Sequence, residues 1–321
     1  MPAAKTTILI PSRLHPRVTA RLKEQFDIVT VANPAEPMLS QAEIEAVRGA
    51  AVSGAFPKAL VDMYPNLEVI ANFGVGYDGV DVKAAAARGI IVTNTPDVLN
   101  DEVADTTIAL LLNTVRQLPQ AENWLRQGRW VKDGPFPLSP LSLKGRHVGL
   151  YGLGRIGIEI ARRLEPFKVK ISYHTRSPRS DVAYGYQPSL KALAQAVDTL
   201  ICIVPKTAET FKTINGEILA DLGDRGVLIN VGRGWTVDED ALIAALEQGV
   251  IAGAGLDVFQ DEPNVPEGLL KFTNVSLLPH VASASVPTRD GMADLVADNL
   301  ISWFSTGRAL TPVSETPQKP V

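Results

Sequence analysis

The chain has 321 residues, 45% of them apolar and 21% charged, with a net charge of -4. That length allows two domains with a core each, and the slightly acidic balance argues against a nucleic-acid or polybasic membrane surface. No apolar run is long enough to span a membrane. The single cysteine, Cys202, excludes an internal disulfide and fits a reducing, cytoplasmic setting.

Short apolar strands alternate with helical stretches from the start, a pattern that builds parallel sheets with crossover helices. Strands are predicted over residues 7–11, 28–32, 51–54, 67–72 and 90–94, with helices such as 17–25 and 82–87 between them. A long helical pattern follows over 101–118, with Asn100 or Asp101 as its N-cap. Residues 127–144 carry Gly, Pro and aromatics with little periodicity and read as a long arm, of the kind that covers a partner.

The next segment, Val148-Gly149-Leu150-Tyr151-Gly152-Leu153-Gly154-Arg155-Ile156-Gly157, is a strand running into Gly-x-Gly-x-x-Gly and then a helix. In a dinucleotide site Gly152 permits the tight turn, Gly154 lets the backbone approach a pyrophosphate, and Gly157 lets helix and strand pack closely. The N–H groups at the helix start favour the phosphate charge. The strand after this helix ends at His174. An NAD site carries an acid there to bind the ribose 2′-OH. This chain has Thr175-Arg176-Ser177-Pro178-Arg179, with no acid until Asp181. Two guanidinium groups and a hydroxyl suit a 2′-phosphate, so NADP(H) is the expected cofactor, with NAD(H) possible.

Later strands are predicted at 199–204, 226–230, 253–257 and 275–278, then a helix over 287–304 and a loose, polar, Pro-rich tail over 311–321. The most economical arrangement returns the last helix to the first unit. The substrate domain is then 1–98 plus 286–321, and the inserted nucleotide domain is 99–285 with a dimerisation arm at 124–145. Three polar residues sit just past successive strands of the nucleotide unit: Arg233 between two glycines, Glu262 in Asp261-Glu262-Pro263, and His280 after Leu278-Pro279. Carboxyl ends of strands line the ligand crevice of such a sheet. Singly, each has a bland explanation: an arginine paired to Asp238 or Glu239, a solvated loop acid, and a capping or buried histidine. Together they can converge on a nicotinamide. The four histidines and lone cysteine show no metal-site spacing.

At this point the chain resembles the NAD(P)-dependent D-2-hydroxyacid dehydrogenases, of the glyoxylate/hydroxypyruvate reductase branch. The likeness is carried in order by Asn72-Phe73-Gly74-Val75-Gly76-Tyr77-Asp78, Asn94-Thr95-Pro96, Val103-Ala104-Asp105, the Gly152–Gly157 motif, Val231-Gly232-Arg233-Gly234, Gly255-Leu256-Asp257-Val258 and Leu278-Pro279-His280. The resemblance implies two doubly wound α/β domains, a Rossmann-type one inserted into a discontinuous flavodoxin-like one. It places the catalytic roles on Arg233, Glu262 and His280, and a substrate-carboxylate nest on the amides of Val75 and Gly76. It extends the cofactor set from the glycines, Arg176, Ser177 and Arg179 to Arg155, Ile156, Pro205, Val231, Gly232, Asp257 as nicotinamide-amide partner, and Ser283. Trp235 departs from the smaller residue usual after the Arg-Gly pair. The implied protein is a homodimeric reductase of small 2-ketoacids. A reductase of larger ketoacids such as hydroxyphenylpyruvate, and a non-catalytic nucleotide-sensing regulator on the same fold, remain open.

Overall fold

The computed structural model describes residues 5–31 and 38–318. By its internal contacts the chain divides into two compact units, Met1–Leu99 with Ser285–Val321, and Asn100–Ala284.

The first unit is built on a five-stranded parallel sheet of β1 (Thr7–Ile10), β2 (Asp27–Thr30), β3 (Val47–Val52), β4 (Val69–Asn72) and β5 (Ile91–Thr93), in the order β2-β1-β3-β4-β5. Helices α1 (Pro16–Lys23), α2 (Gln41–Ala46), α3 (Lys58–Met63) and α4 (Val82–Ala87) make the crossovers. β3, β4 and β5 are buried on both faces apart from Arg48, as parallel sheets require, while the edge strand β2 is partly exposed. β3 begins four residues before the predicted start. α2 runs straight into it without a turn residue, and exposed Arg48 and the buried Gly49 interrupt the apolar run. Ala32, the last residue of the predicted second strand, lies outside the described residues, as do 319–321 of the predicted tail.

The tail to residue 318 is not loose. Pro312 bridges to Thr93 in antiparallel sense, the Val313 amide donates to the Val92 carbonyl at 2.9 Å, and the Val92 amide donates to Thr316 Oγ1 at 2.9 Å. Val313 and Thr316 are buried. The segment lies along β5, which is the edge of its sheet, and covers unpaired backbone groups that an edge strand exposes. Polar composition misled the sequence reading, because two well-placed side chains outweigh the average character of the segment.

The second unit opens with α5 (Asn100–Arg116), α6 (Leu118–Arg126) and α7 (Arg129–Asp133). A seven-stranded parallel sheet follows: β6 (His147–Tyr151), β7 (Lys170–His174), β8 (Gly185–Tyr186), β9 (Thr199–Cys202), β10 (Val227–Asn230), β11 (Gly253–Leu256) and β12 (Val275–Leu277). Its order is β12-β11-β10-β9-β6-β7-β8, which reverses between β6 and β9. A reversal of this kind opens the crevice in which doubly wound sheets bind ligands. Connecting helices are α8 (Arg155–Leu164), α9 (Leu190–Ala196), α10 (Gly216–Leu222), α11 (Glu239–Glu247) and α12 (Glu267–Leu270). The last helix, α13 (Val286–Thr306), belongs to the first unit, where Ala293, Val296, Ala297 and Leu300 pack under the sheet with Ile8, Val69 and Ala71. β8, only two residues long, was too short to show any periodicity.

The arm carries more structure than its sequence predicts, since α7 lies inside it. Trp124 Nε1 donates to the Gly134 carbonyl at 3.1 Å, its ring meets Phe136 edge-on at 5.7 Å, and the Arg129 guanidinium lies 3.6 Å over it. Leu143 is buried and Leu141 packs against the nucleotide-unit core. Trp130, Val131 and Leu138 stay outside, 61%, 96% and 96% exposed.

Cys202 ends β9 fully buried, its Sγ 3.3 Å from Thr236 Oγ1. Burial penalises the thiolate and pushes the thiol up to about 11. We therefore expect no reaction of the native protein with a thiol reagent at pH 8, and one equivalent once urea unfolds it. The native state favours the neutral thiol. Its contribution is intact below the ordinary thiol value of 9.0 and is lost as pH rises through about 11. Labelling of the folded protein at the rate of free cysteine would contradict this.

Candidate active site

The turn after β6 has the shape that a dinucleotide needs. Gly152 has φ of +102°, and a Cβ there would sit 2.9 Å from the Ile203 carbonyl. A Cβ on Gly157 would sit 2.6 Å from the Gly152 carbonyl, so helix and turn touch through hydrogen. Gly154 differs, because a Cβ there would meet nothing within 4 Å. Protein packing does not demand that glycine, whereas the close approach of a phosphate does. Gly154 is also the N-cap of α8, and no side chain caps that end. Arg155 and Ile156 begin the helix, with Ile156 packed on the core below. The residues present fit a pyrophosphate on the helix N-terminus.

Past β7, Arg176 and Ser177 are exposed, and Thr175 Oγ1 donates to the Ser177 carbonyl at 2.6 Å. Arg179 is more engaged than its sequence suggests. Its amide donates to Tyr173 Oη at 2.8 Å, Nη1 donates to the Leu153 carbonyl at 2.6 Å, and Nε and Nη2 both donate to Asp181. The guanidinium is thus held against the glycine turn with a carboxylate on its fork. That partner holds the Asp181 carboxyl below its ordinary range.

β9 and β10 end in the residues that flank the crevice. Pro205 is exposed and its carbonyl accepts from Thr210 Oγ1 at 2.8 Å, while Val231 and Gly232 are buried. Asn230 is completely buried at the end of apolar β10. Its Nδ2 donates to the Arg233 carbonyl at 2.9 Å, and its Oδ1 accepts from the Gly232 amide at 3.1 Å. Thr236 Oγ1 donates to the same Arg233 carbonyl at 2.7 Å. These two side chains, which the sequence reading did not single out, fix the turn that presents Arg233. An asparagine closing a run of Val-Leu-Ile before Gly-Arg-Gly was the available signal. Gly234 presses on the backbone of Phe259, where a Cβ would sit 1.9 Å from its carbonyl carbon. Of the two acids near Arg233 in sequence, Asp238 accepts from Lys212 Nζ at 3.1 Å, and Glu239 accepts from the Gln260 amide at 2.8 Å.

Glu262 and His280 are brought together. His280 Nδ1 lies 2.7 Å from Glu262 Oε2, and Glu262 Oε1 accepts from the Phe259 amide at 3.1 Å. The His280 side chain is 48% exposed, which excludes a buried structural role. Its backbone adopts φ of +53°, and its amide donates to the Asp257 carbonyl at 2.8 Å. Asp257 is 1% exposed. Its carboxylate accepts from the Val281 amide at 2.7 Å and the Ala282 amide at 3.0 Å. Burial pushes the Asp257 carboxyl up, and those two amides pull it back down. The Asp257 carboxylate thus anchors the turn that carries His280. Ser283 follows on the same turn, half-buried.

In the first unit, the loop after β4 is pinned from one side. Asn72 Nδ2 donates to the carbonyls of Gly74 and Gly76 at 3.2 and 3.0 Å, and Asn94 Nδ2 donates to that of Val75 at 2.9 Å. With three successive carbonyls taken by the protein, the conformation of Val75 and Gly76 is fixed by two asparagines at the ends of β4 and β5.

Trp235, the departure noted in the sequence, braces the loop after β9. Its Nε1 donates to the Thr207 carbonyl at 2.8 Å, its ring lies 4.3 Å from Phe211, and Lys206 Nζ lies 4.7 Å over it.

Residues 108–282 match the family model of the D-isomer specific 2-hydroxyacid dehydrogenase NAD binding domain. The chain is 47% identical to the glyoxylate/hydroxypyruvate reductase A of Arabidopsis thaliana, over 84% of this chain and 85% of that one. It is also 47% identical to the hydroxyphenylpyruvate reductase of Plectranthus scutellarioides, over 85% and 87%. Its structure matches that of the NADPH-dependent glyoxylate/hydroxypyruvate reductase of Sinorhizobium meliloti, solved with NADP and malonate. That match has a TM-score of 0.96 and 64% identity, and covers 99% of this chain and 100% of that one.

Proposed function

The chain belongs to the D-isomer specific 2-hydroxyacid dehydrogenases, and on that premise we propose that it reduces small 2-ketoacids, glyoxylate and hydroxypyruvate, to D-2-hydroxyacids with NADPH in preference to NADH. The observation that carries the reading is the His280–Glu262 pair, joined at 2.7 Å past the sheet end that also presents Arg233. A ligand-sensing protein needs no such proton-handling pair. The nicotinamide supplies the hydride when bound. Gly152, Gly154 and Gly157 with the start of α8 would hold the pyrophosphate, and Arg176, Ser177 and Arg179 would hold the 2′-phosphate. Arg233 binds the substrate carboxylate and the carbonyl oxygen. Glu262 occupies Nδ1 of His280 and orients the ring, so Nε2 is the nitrogen that donates a proton to the developing alkoxide. Turnover of glyoxylate, hydroxypyruvate and hydroxyphenylpyruvate with both cofactors tests the reading. Preference for hydroxyphenylpyruvate would move the protein to the larger ketoacids, and binding without turnover of any would make it a sensor.

Cofactor choice follows from the same residues. NADPH is expected to exceed NADH by at least tenfold in kcat/KM, on the order of 1.4 kcal/mol from charge-assisted phosphate bonds. Replacing Arg176 and Arg179 together with alanine should remove most of that preference and spare the use of NADH. Equal kcat/KM for the two cofactors in the unaltered enzyme would sink the assignment.

We further propose a homodimer in a reducing, cytoplasmic setting. Trp130, Val131 and Leu138 support it, since each such side chain gains about 1.5–3 kcal/mol on full burial and an arm would not otherwise hold three of them in water. Light scattering at micromolar concentration is expected to report twice the chain mass, and a monomer would exclude the dimer. Among the described residues no helix is long and apolar enough to cross a membrane.

A further inference from the structure

We propose that Asp181 is a specificity-determining residue that opposes the 2′-phosphate, competing with it for Arg179 and so limiting the preference for NADPH. The inference rests on the reading that Arg176 and Arg179 face the 2′-phosphate. Three observations carry it.

The first is the grip itself. Arg179 donates from Nε to Asp181 Oδ1 at 3.0 Å and from Nη2 to Oδ2, the two parallel bonds with which a guanidinium also takes a phosphate. The ligand and the carboxylate therefore want the same edge of the same group. The second is position. Arg179 Nη1 donates to the carbonyl of Leu153, the residue between Gly152 and Gly154, and the Arg179 amide is fixed by Tyr173 Oη. The guanidinium is tied to the phosphate-binding turn from behind, so it is held in place without help from Asp181. The third is charge. Asp181 is anionic at neutral pH, because Arg179 holds its carboxyl below the ordinary carboxylate range. When a phosphate arrives, either the ion pair breaks or two like charges share one cation, and both cost affinity. NADH, with a hydroxyl at that position, meets neither penalty. Asp181 stands on a loop and is mostly exposed, so its removal leaves the core untouched.

The test is the Kd of NADPH and of NADH, read by fluorescence on the full-length protein, for the unaltered chain, Asp181→Asn, Arg179→Ala and the double variant. Asp181→Asn keeps the size and the hydrogen-bonding capacity and removes the charge. We expect it to tighten NADPH by roughly 3- to 10-fold and to change NADH by less than twofold. The gain should shrink as salt rises from about 20 mM to about 500 mM, because screening reduces a charge effect at an exposed site. It should also shrink in the Arg179→Ala background, where there is no shared cation to compete for. An unchanged or weakened NADPH Kd in Asp181→Asn would overturn the proposal, the weakened case showing that Asp181 positions Arg179. A gain of equal size for both cofactors would overturn it too. Failure of the unaltered protein to bind either nucleotide would instead overturn the dinucleotide reading, so the two failures are distinguishable.

Discussion

Replacing His280 with alanine is expected to lower kcat for glyoxylate reduction by roughly 100-fold or more, with a smaller effect on the KM for NADPH. The figure is the usual scale of general acid–base assistance. The geometry says why this histidine carries it. Glu262 Oε2 occupies Nδ1 at 2.7 Å, and Glu262 is itself held by the Phe259 amide. The ring is thus oriented by a carboxylate that the backbone orients. The turn beneath it is fixed by the buried Asp257 carboxylate, which accepts from Val281 and Ala282. On the proposed mechanism, loss of the imidazole would remove the proton donor and leave the cofactor turn after β6 unaffected. Glu262→Gln should lose less, because the amide can still hold the ring in place while removing the charge. Single-turnover kinetics on the two variants measure both effects. A His280→Ala enzyme with near-full kcat at every pH would mean that another group donates the proton.

Arg233→Ala is expected to cost about 100- to 1,000-fold in kcat/KM, the range seen when one donor to a developing oxyanion is removed. Arg233→Lys should recover only part of it, since a point charge cannot make two parallel bonds to a carboxylate. The loss should fall on both kcat and KM, because in the proposed mechanism the same group would bind the carboxylate in the ground state and the oxygen in the transition state. Steady-state kinetics over a wide range of ketoacid concentration separate the two. Unchanged kcat/KM in Arg233→Ala would show that another group binds the carboxylate. Its supports offer a related check, since Asn230 and Thr236 both hold the Arg233 carbonyl. Asn230→Ala would leave the charge present and its presentation disturbed.

Much of this was legible in the chain because local rules and long-range packing agree. The glycine turn was legible from its spacing: Gly152 has φ of +102° and a Cβ on Gly157 would press on the Gly152 carbonyl, while the carbonyl that crowds Gly152 itself comes from distant Ile203. The parallel strands were visible as apolar runs because both faces are buried. The exceptions are instructive. β8 is too short to show a period. α7 was hidden in the arm because its five residues carry no stripe, and its contacts are Arg129 over Trp124 and Arg129 paired with Asp133. The C-terminal segment looked loose because its composition is polar, yet Val313 and Thr316 seat it along β5.

The sequence by itself determined the parallel α/β architecture, the dinucleotide turn and the identity of the three polar residues past β10, β11 and β12. It could do so because each depends on residue type and neighbouring spacing alone. Only the tertiary structure decided what those groups touch. His280 and Glu262 are 18 residues apart and meet because β11 and β12 are adjacent in the sheet. Asp257 turned out to anchor the His280 turn, since its partners come from the end of the next strand. Arg179 turned out to be clasped by Asp181 and tied to Leu153, a carbonyl on a different turn 26 residues away. Spacing along a chain sets which group is present at a strand end, while the pairing of strands sets which other group it faces. A charge is silenced or aimed by the second of these.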